Sequence, residues 1–331
     1  MQPAPPSDWR PSATLNILQQ RARLLQNLRA FFAARDVLEV ETPQLSAAAT
    51  TDPQLRSLST RYTGPGAPLG RALFLHTSPE FPMKRLLAAG SGAIFQLCKV
   101  FRDGEAGRLH NPEFTLLEWY RPGYDHHQLM TEVEELATQL LENRVPLGTT
   151  ERLTYEDAFL RHTGLNPLTT SREQWVACAR QHGVDTAGLA PDDLDGWRDL
   201  LLTHLIEPHL GQDRLTFLYD YPASQAALAC LRPDKPAVAE RFELYLHGVE
   251  LANGFHELGD AGEQRRRFDA DLARRQALGL ALTPADEHLL AALEHGLPAC
   301  AGVALGVDRL VMLALGARCV ADVMAFPIER A

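Results

Sequence analysis

The stretch that most constrains the fold is RFELYLHGVELANGF, residues 241–255, in which two runs of alternating apolar and polar residues meet at His247 and Gly248. A period of two is the period of a strand, and a two-residue break containing Gly between such runs is a hairpin signal. The turn pairs Leu246 with Val249 and Tyr245 with Glu250, which sets Glu243 and Glu250 diagonally on one face. Strict alternation sends Asn253, Phe255 and Glu257 to the other face, so bringing them to the same site requires a bulge near Ala252 to Gly254. Strand patterns also run from Ile94 to Arg102 and from Phe114 to Tyr120. Hairpins separated by long helices, without regular βαβ alternation, predict an α+β fold: an antiparallel sheet flanked by helices.

The helices fill in around that sheet. Apolar residues at Leu18, Ala22, Leu25, Leu28 and Phe32 mark one face of a helix over Leu15 to Phe32, after a Pro-rich leader of residues 1–14. VLEVETPQL reads as a short strand with Pro43 at an edge or end. A strand at Ala72 to Leu75 precedes a helix start at Ser78 and Pro79. Residues of about 125–212 turn helical and read as an insertion, followed by a strand at Leu215 to Tyr219 and helices at Asp269 to Leu280 and Ala285 to Gly296. The chain closes with GVALGV as a strand and DRLVMLALG as a helix N-capped by Asp308.

Composition removes several classes of function. With 32 basic and 42 acidic residues the net charge is -10, which gives no footprint for non-specific nucleic-acid binding. The five cysteines, at 98, 178, 230, 300 and 319, form no CxxC pair, which argues against a zinc site or a disulfide framework and fits a reducing cytoplasm. No run approaches the ~18 apolar residues of a membrane span. Neither GxGxxG nor GxxxxGK[ST] occurs, so no dinucleotide or P-loop fingerprint is present. His126 and His127 read as surface residues, and Arg265 to Arg267 as a solvated helix face.

Three constellations carry chemistry. In FRDGEAGRLHNPEFTLLEWY, residues 101–120, Arg102 and Glu118 lie on neighbouring strands, joined by a polar loop with His110 and Asn111 that is too long for a plain hairpin. The loop holds a ligand, or the two strands form a surface ion-pair hairpin. Glu243 and Glu250 have the placement to share Mg²⁺, or are two solvated glutamates. In GVALGVDR, bare backbone at Gly302 and Gly306 followed by Arg309 at a helix start suits a phosphate, or a buried junction with Arg309 in a salt bridge.

In this order the three constellations, with TSPE at 77–80 and ELANGFHEL at 250–258, resemble the signature motifs of class II aminoacyl-tRNA synthetases, in detail the lysyl branch. The resemblance covers residues from about 15 to the end. A lysyl-tRNA synthetase carries an anticodon-binding OB domain before the first motif, whereas only some fifteen residues precede it here. The chain is therefore expected to be a catalytic core over 15–331, similar to the elongation factor P (R)-β-lysine ligase family of truncated lysyl-tRNA synthetase paralogues.

The resemblance implies an ATP-dependent ligase that adenylates (R)-β-lysine or lysine and passes the acyl group to a lysine of elongation factor P. It implies ATP as substrate, Mg²⁺, a homodimer built through the first motif, and no role for tRNA or a membrane. Carried over by motif, Arg102, Asp103, Gly104, Glu105, His110, Asn111, Phe114, Leu251, Gly306 and Arg309 line the ATP site, and Glu243 and Glu250 hold the metal. Arg102, Arg309 and Glu250 are the catalytic set. Ser78, Pro79 and Glu80 meet the backbone-side ammonium of the amino acid, while Glu118, Tyr120, Asn253, Phe255 and Glu257 form the distal end, with Ala304 on the pocket wall. Two departures from the lysyl pattern stand out. Gly104 occupies the position of a usual Glu, with Glu105 next to it, and Ala304 replaces a Gly, which is expected to favour β- over α-lysine. A truncated enzyme acting on tRNA or a small amine, and an inactive regulatory paralogue, are the two rival readings.

Overall fold

The structure, a computed structural model, describes residues 9–190 and 192–331, so residues 1–8 of the expected leader lie outside the described residues. Along the chain run α1 (Leu15–Ala33), β1 (Leu38–Glu39), β2 (Leu45–Ser46), β3 (Ser59–Tyr62), β4 (Arg71–Leu75), α2 (Glu80–Ala88), β5 (Ile94–Phe101) and β6 (Glu113–Pro122). Next come α3 (His126–Leu141), β7 (Glu151–Thr154), α4 (Tyr155–Thr163), α5 (Arg172–Gln181), α6 (Leu194–Leu201) and β8 (Thr216–Pro222). The chain ends with β9 (Val238–Leu246), β10 (Val249–His256), α7 (Ala261–Ala277), α8 (Glu287–Gly296), β11 (Cys300–Gly306) and α9 (Val307–Ala314). Two compact units result, one from the chain up to Tyr120 with Gly259–Pro298 and Gly306–Ala331, the other from Arg121–Leu258 with Ala299–Leu305.

In the first unit β5 and β6 pair antiparallel, with Val100 opposite Phe114 and Gln96 opposite Glu118. Strand β1 joins β5 in parallel. A separate three-stranded sheet has the order β2-β4-β3. Helix α1 forms because Thr14 caps it, accepting from the Ile17 N–H at 3.3 Å, and because Leu24, Leu28, Phe31 and Phe32 recur on one face. Phe32 stacks on Phe95 with centroids 4.4 Å apart and meets Trp119 edge-on at 5.3 Å. Truncating so buried an aromatic costs about 3–5 kcal/mol.

The second unit holds the strand order β11-β10-β9-β8-β7. Helices α4, α5 and α6 bring Phe159, Trp175 and Trp197 into a core with Tyr155, Tyr221 and Tyr245. His247 and Gly248 both take positive φ, at 53° and 70°, which turns β9 into β10 in the expected register.

Several expectations are corrected. The edge strands β1 and β7 pair in parallel, so the strand pairing is mixed rather than wholly antiparallel. VLEVETPQL divides into β1 and β2, which belong to different sheets, because Pro43 cannot donate to a ladder. Helix α7 starts at Ala261, not Asp269: Asp260 caps it by accepting from the Glu263 N–H at 2.8 Å, and the polar first turns hid the period. Asp308 is not the cap of α9, whose N-cap is Gly306. Instead Asp308 is buried, pairs with Arg21 at 2.6 Å and accepts the Thr115 N–H at 2.6 Å, tying α1, β6 and α9 together. His126 is buried rather than exposed, and burial lowers its pKa to about 3, so the ring is neutral. The 125–212 stretch also contains the short strand β7, which helical periodicity concealed.

Candidate active site

In the first unit, strand β6 and the start of α2 build a small acidic cluster. Alternation along β6 places Phe114, Leu116, Glu118 and Tyr120 on one face. Ser78 Oγ accepts the Glu80 N–H at 3.0 Å, which nucleates α2 behind Pro79, and donates to Glu118 Oε2 at 2.6 Å. Tyr120 OH donates to Glu118 Oε1 at 2.6 Å. Glu80 lies one helical turn before Lys84 and pairs with its Nζ at 2.6 Å, the Lys84 side chain being only 1% exposed. Burial, then the neighbouring Glu80 charge, pushes the Glu118 carboxyl up to about 7, against the two hydroxyl donors and Lys84. Such a carboxyl gains most from an incoming ammonium.

The loop between β5 and β6 holds the second cluster. The Arg102 guanidinium lies 5.0 Å over the Phe114 ring, with Nη1 3.6 Å from Glu105 Oε1. Gly104 has φ +81°, a conformation that disfavours any side chain, so the carboxylate is supplied one residue later by Glu105. The Asp103 N–H donates to the Arg56 carbonyl at 2.8 Å, spending its backbone on loop shape. Arg309 Nη2 donates to His110 Nε2 at 2.6 Å and its Nε donates to the Leu109 carbonyl at 3.2 Å. Because a guanidinium only donates, His110 Nε2 is the acceptor, and burial with Arg309 nearby lowers the His110 pKa. The buried Asn111 is bonded at both ends of its amide, donating to the Glu113 carbonyl and accepting the Ile328 N–H. That use shapes the loop. Gly306 sits at the start of α9, directly before the turn that carries Arg309.

In the second unit, a register shift falls between Glu250 and Ala252, so Leu251 is the extra, buried residue of a β-bulge. The bulge expected near Ala252 to Gly254 is thus present, one residue before that range. Gly254 is needed for a different reason: a Cβ there would lie 2.4 Å from the Phe242 ring. The shift pairs Asn253 with Glu243 and Phe255 with Arg241, bringing both to the face of Glu243 and Glu250. Glu243 accepts from Arg241 Nη2 at 2.5 Å and from Tyr245 OH at 2.6 Å. Two acceptor positions of about four are thereby used, one of them by a guanidinium, so a further cation would share Glu243 with Arg241; Glu250 is half-buried on the same face. Phe255 packs against Ala226, Ala229 and Ala239, Glu257 is buried with its N–H on the Cys300 carbonyl, and Ala304 lies opposite Asn253.

The sequence reading missed Lys84, Arg241 and Tyr245. Signals for all three existed: Lys84 is four residues after Glu80 on a helix, and alternation puts Arg241 and Tyr245 on the Glu243 face.

These clusters lie within a family-wide match. The profile described as tRNA synthetases class II (D, K and N) matches residues 6–330. The chain belongs to this class II tRNA synthetase family. It is 52% identical over 325 residues to a protein of Pectobacterium carotovorum subsp. carotovorum (strain PC1) named elongation factor P–(R)-β-lysine ligase, covering 98% of this chain and 99% of that one. Relatives of the same name from Vibrio cholerae serotype O1 and Vibrio vulnificus are 53% and 52% identical, over 98% and 97% of this chain and 99% and 98% of theirs.

Proposed function

We propose that this chain is an ATP-dependent ligase that activates (R)-β-lysine, or lysine, as an aminoacyl-adenylate and transfers it to the ε-amino group of a lysine on elongation factor P. The observation that carries this reading is the identity of about half of all positions, over nearly the full length, with relatives bearing that name. The acidic cluster of Glu118, Tyr120 and Glu80 supports it, because a dibasic substrate needs carboxylates where its ammonium is buried.

In the first step a carboxylate oxygen of the amino acid attacks the α-phosphorus of ATP, and the bond to the β-phosphate oxygen breaks to release pyrophosphate. Arg102 and Arg309 supply fixed positive charge for the phosphates, with Phe114 under the adenine; Asp103, Gly104, Glu105, His110, Asn111, Leu251 and Gly306 shape the site. Glu243 and Glu250 would hold magnesium, which would supply positive charge for the phosphates. In the second step the acceptor amine, losing its proton, attacks the carbonyl carbon and AMP leaves. No side-chain nucleophile is required.

The β preference is assigned to Ala304, whose methyl narrows the wall opposite Asn253. A homodimer through α1 and β1 is supported by exposed apolar residues there, Leu15 and Leu38, with Leu45 beyond Pro43. A monomeric mass in light scattering contradicts it. The domain reading is one catalytic domain over 15–331 with an insertion at about 125–212. The five cysteines are free thiols, which supports assignment to the cytoplasm. No described helix is long and apolar enough to cross a membrane. The test is ATP–pyrophosphate exchange with Mg²⁺, comparing no amino acid, L-lysine and (R)-β-lysine. Exchange that depends on lysine is expected, and none with any amino acid overturns the reading.

A further inference from the structure

Arg241 is bonded through all three of its guanidinium nitrogens. Its Nε donates to Asn253 Oδ1 at 3.2 Å, its Nη2 to Glu243 Oε1 at 2.5 Å, and its Nη1 to the Gln225 carbonyl at 2.8 Å. The guanidinium lies 4.4 Å over the Tyr221 ring. Three hydrogen bonds and a stacked face fix the plane of the fork, a geometry lysine cannot reproduce.

The Gln225 anchor is itself braced. Gln225 Nε2 donates to Asp199 Oδ1 at 2.5 Å, and Ser224 Oγ donates to Asp195 Oδ1 at 2.7 Å while accepting from Arg198 Nη1 at 3.2 Å. Asp195, Arg198 and Asp199 all belong to α6. Helix α6 thus clamps the turn at Ala223–Gln225, the turn seats Arg241, and Arg241 seats Asn253 and Glu243.

We infer that Arg241 is a positioning residue for amino-acid recognition: by occupying Asn253 Oδ1 it fixes which end of the amide faces the ligand. The inference rests on the reading above that Asn253 meets the amino acid. It also makes α6, far along the sequence, a mechanical support of the site.

The test is a double-mutant cycle read as the amino-acid concentration that half-saturates ATP–pyrophosphate exchange, using (R)-β-lysine. Asn253→Ala and Arg241→Lys are each expected to raise it about tenfold or more, the scale of a hydrogen bond to a charged group. Because Arg241 acts through Asn253, the double variant is expected to match the weaker single within about threefold. Asp199→Ala is expected to move the same quantity in the same direction, while half-saturation by ATP stays within about twofold in Asn253→Ala, which leaves the Arg241–Glu243 pair intact. Effects that multiply in the double variant, or amino-acid half-saturation unchanged in Arg241→Lys, overturn the inference. If Arg241→Lys fails to fold, Asp199→Ala with Asn253→Ala runs the same cycle. Absence of lysine-dependent exchange in the unsubstituted protein overturns instead the functional reading beneath it.

Discussion

The Glu118 carboxyl gives the most quantitative prediction. It is buried, accepts hydroxyls from Ser78 and Tyr120, and has its pKa pushed from 4.5 to about 7 by burial first and by Glu80 second. An ammonium bound there favours the ionised form, so amino-acid binding weakens as pH falls below about 7. At pH 6 about a tenth of the free sites are ionised, so the half-saturating lysine concentration in exchange should be about tenfold higher than its plateau above pH 8.

The same titration acts on stability. Between pH 4.5 and about 7 the folded protein keeps a proton that the unfolded chain has lost, so this contribution is complete below 4.5 and disappears as pH rises through about 7. At about 1.4 kcal/mol per pH unit, holding Glu118 ionised at pH 8 costs about 3 kcal/mol. Glu118→Gln should therefore be more stable than the parent at pH 8 by up to that amount, with little difference near pH 4.5, while losing lysine affinity by about a hundredfold. Urea unfolding at both pH values and exchange across pH 6–8.5 measure this. A half-saturating lysine concentration flat from pH 6 to 8, or a Gln variant less stable than the parent at pH 8, refutes the reasoning.

Other perturbations follow from the same contacts. Arg309→Ala removes the donor to His110 Nε2 and should lower the exchange rate by about 10²–10³, with the His110 pKa, read by NMR, rising. Gly254→Ala puts a methyl 2.4 Å from the Phe242 ring and should cost about 1–3 kcal/mol in urea unfolding. Asp308→Ala leaves Arg21, whose side chain is 14% exposed, with the Thr115 hydroxyl and the Val323 carbonyl but no opposite charge, and should cost about 3–5 kcal/mol, seen as a lower Tm.

The β9–β10 hairpin was legible in the sequence because its signal is local: alternation on either side of His247-Gly248 fixes pairing and register up to Glu250. The need for a bulge was also legible, since Asn253 is otherwise on the wrong face. Its placement at Leu251 was not, because Gly254 is the permissive residue yet is required by the Phe242 ring on the opposite face. Arg21 with Asp308 was hidden for another reason: the partners are nearly the length of the chain apart, and no periodicity links an acid at a helix start to an arginine in the first helix. Parallel edge pairing of β1 and β7 was equally hidden, because strands of two and four residues carry too little alternation to read. Resemblance to synthetases supplied the ATP and amino-acid roles, whereas the Gln225 anchor of Arg241 emerged only from the packing.

The most direct test of the central claim is mass spectrometry of purified elongation factor P after incubation with this protein, ATP, Mg²⁺ and (R)-β-lysine, with a tRNA(Lys) arm in parallel. The account predicts a gain of one lysyl residue on a single lysine of elongation factor P, dependent on ATP, and no charged tRNA. Active adenylation that leaves elongation factor P unmodified while tRNA becomes charged contradicts it.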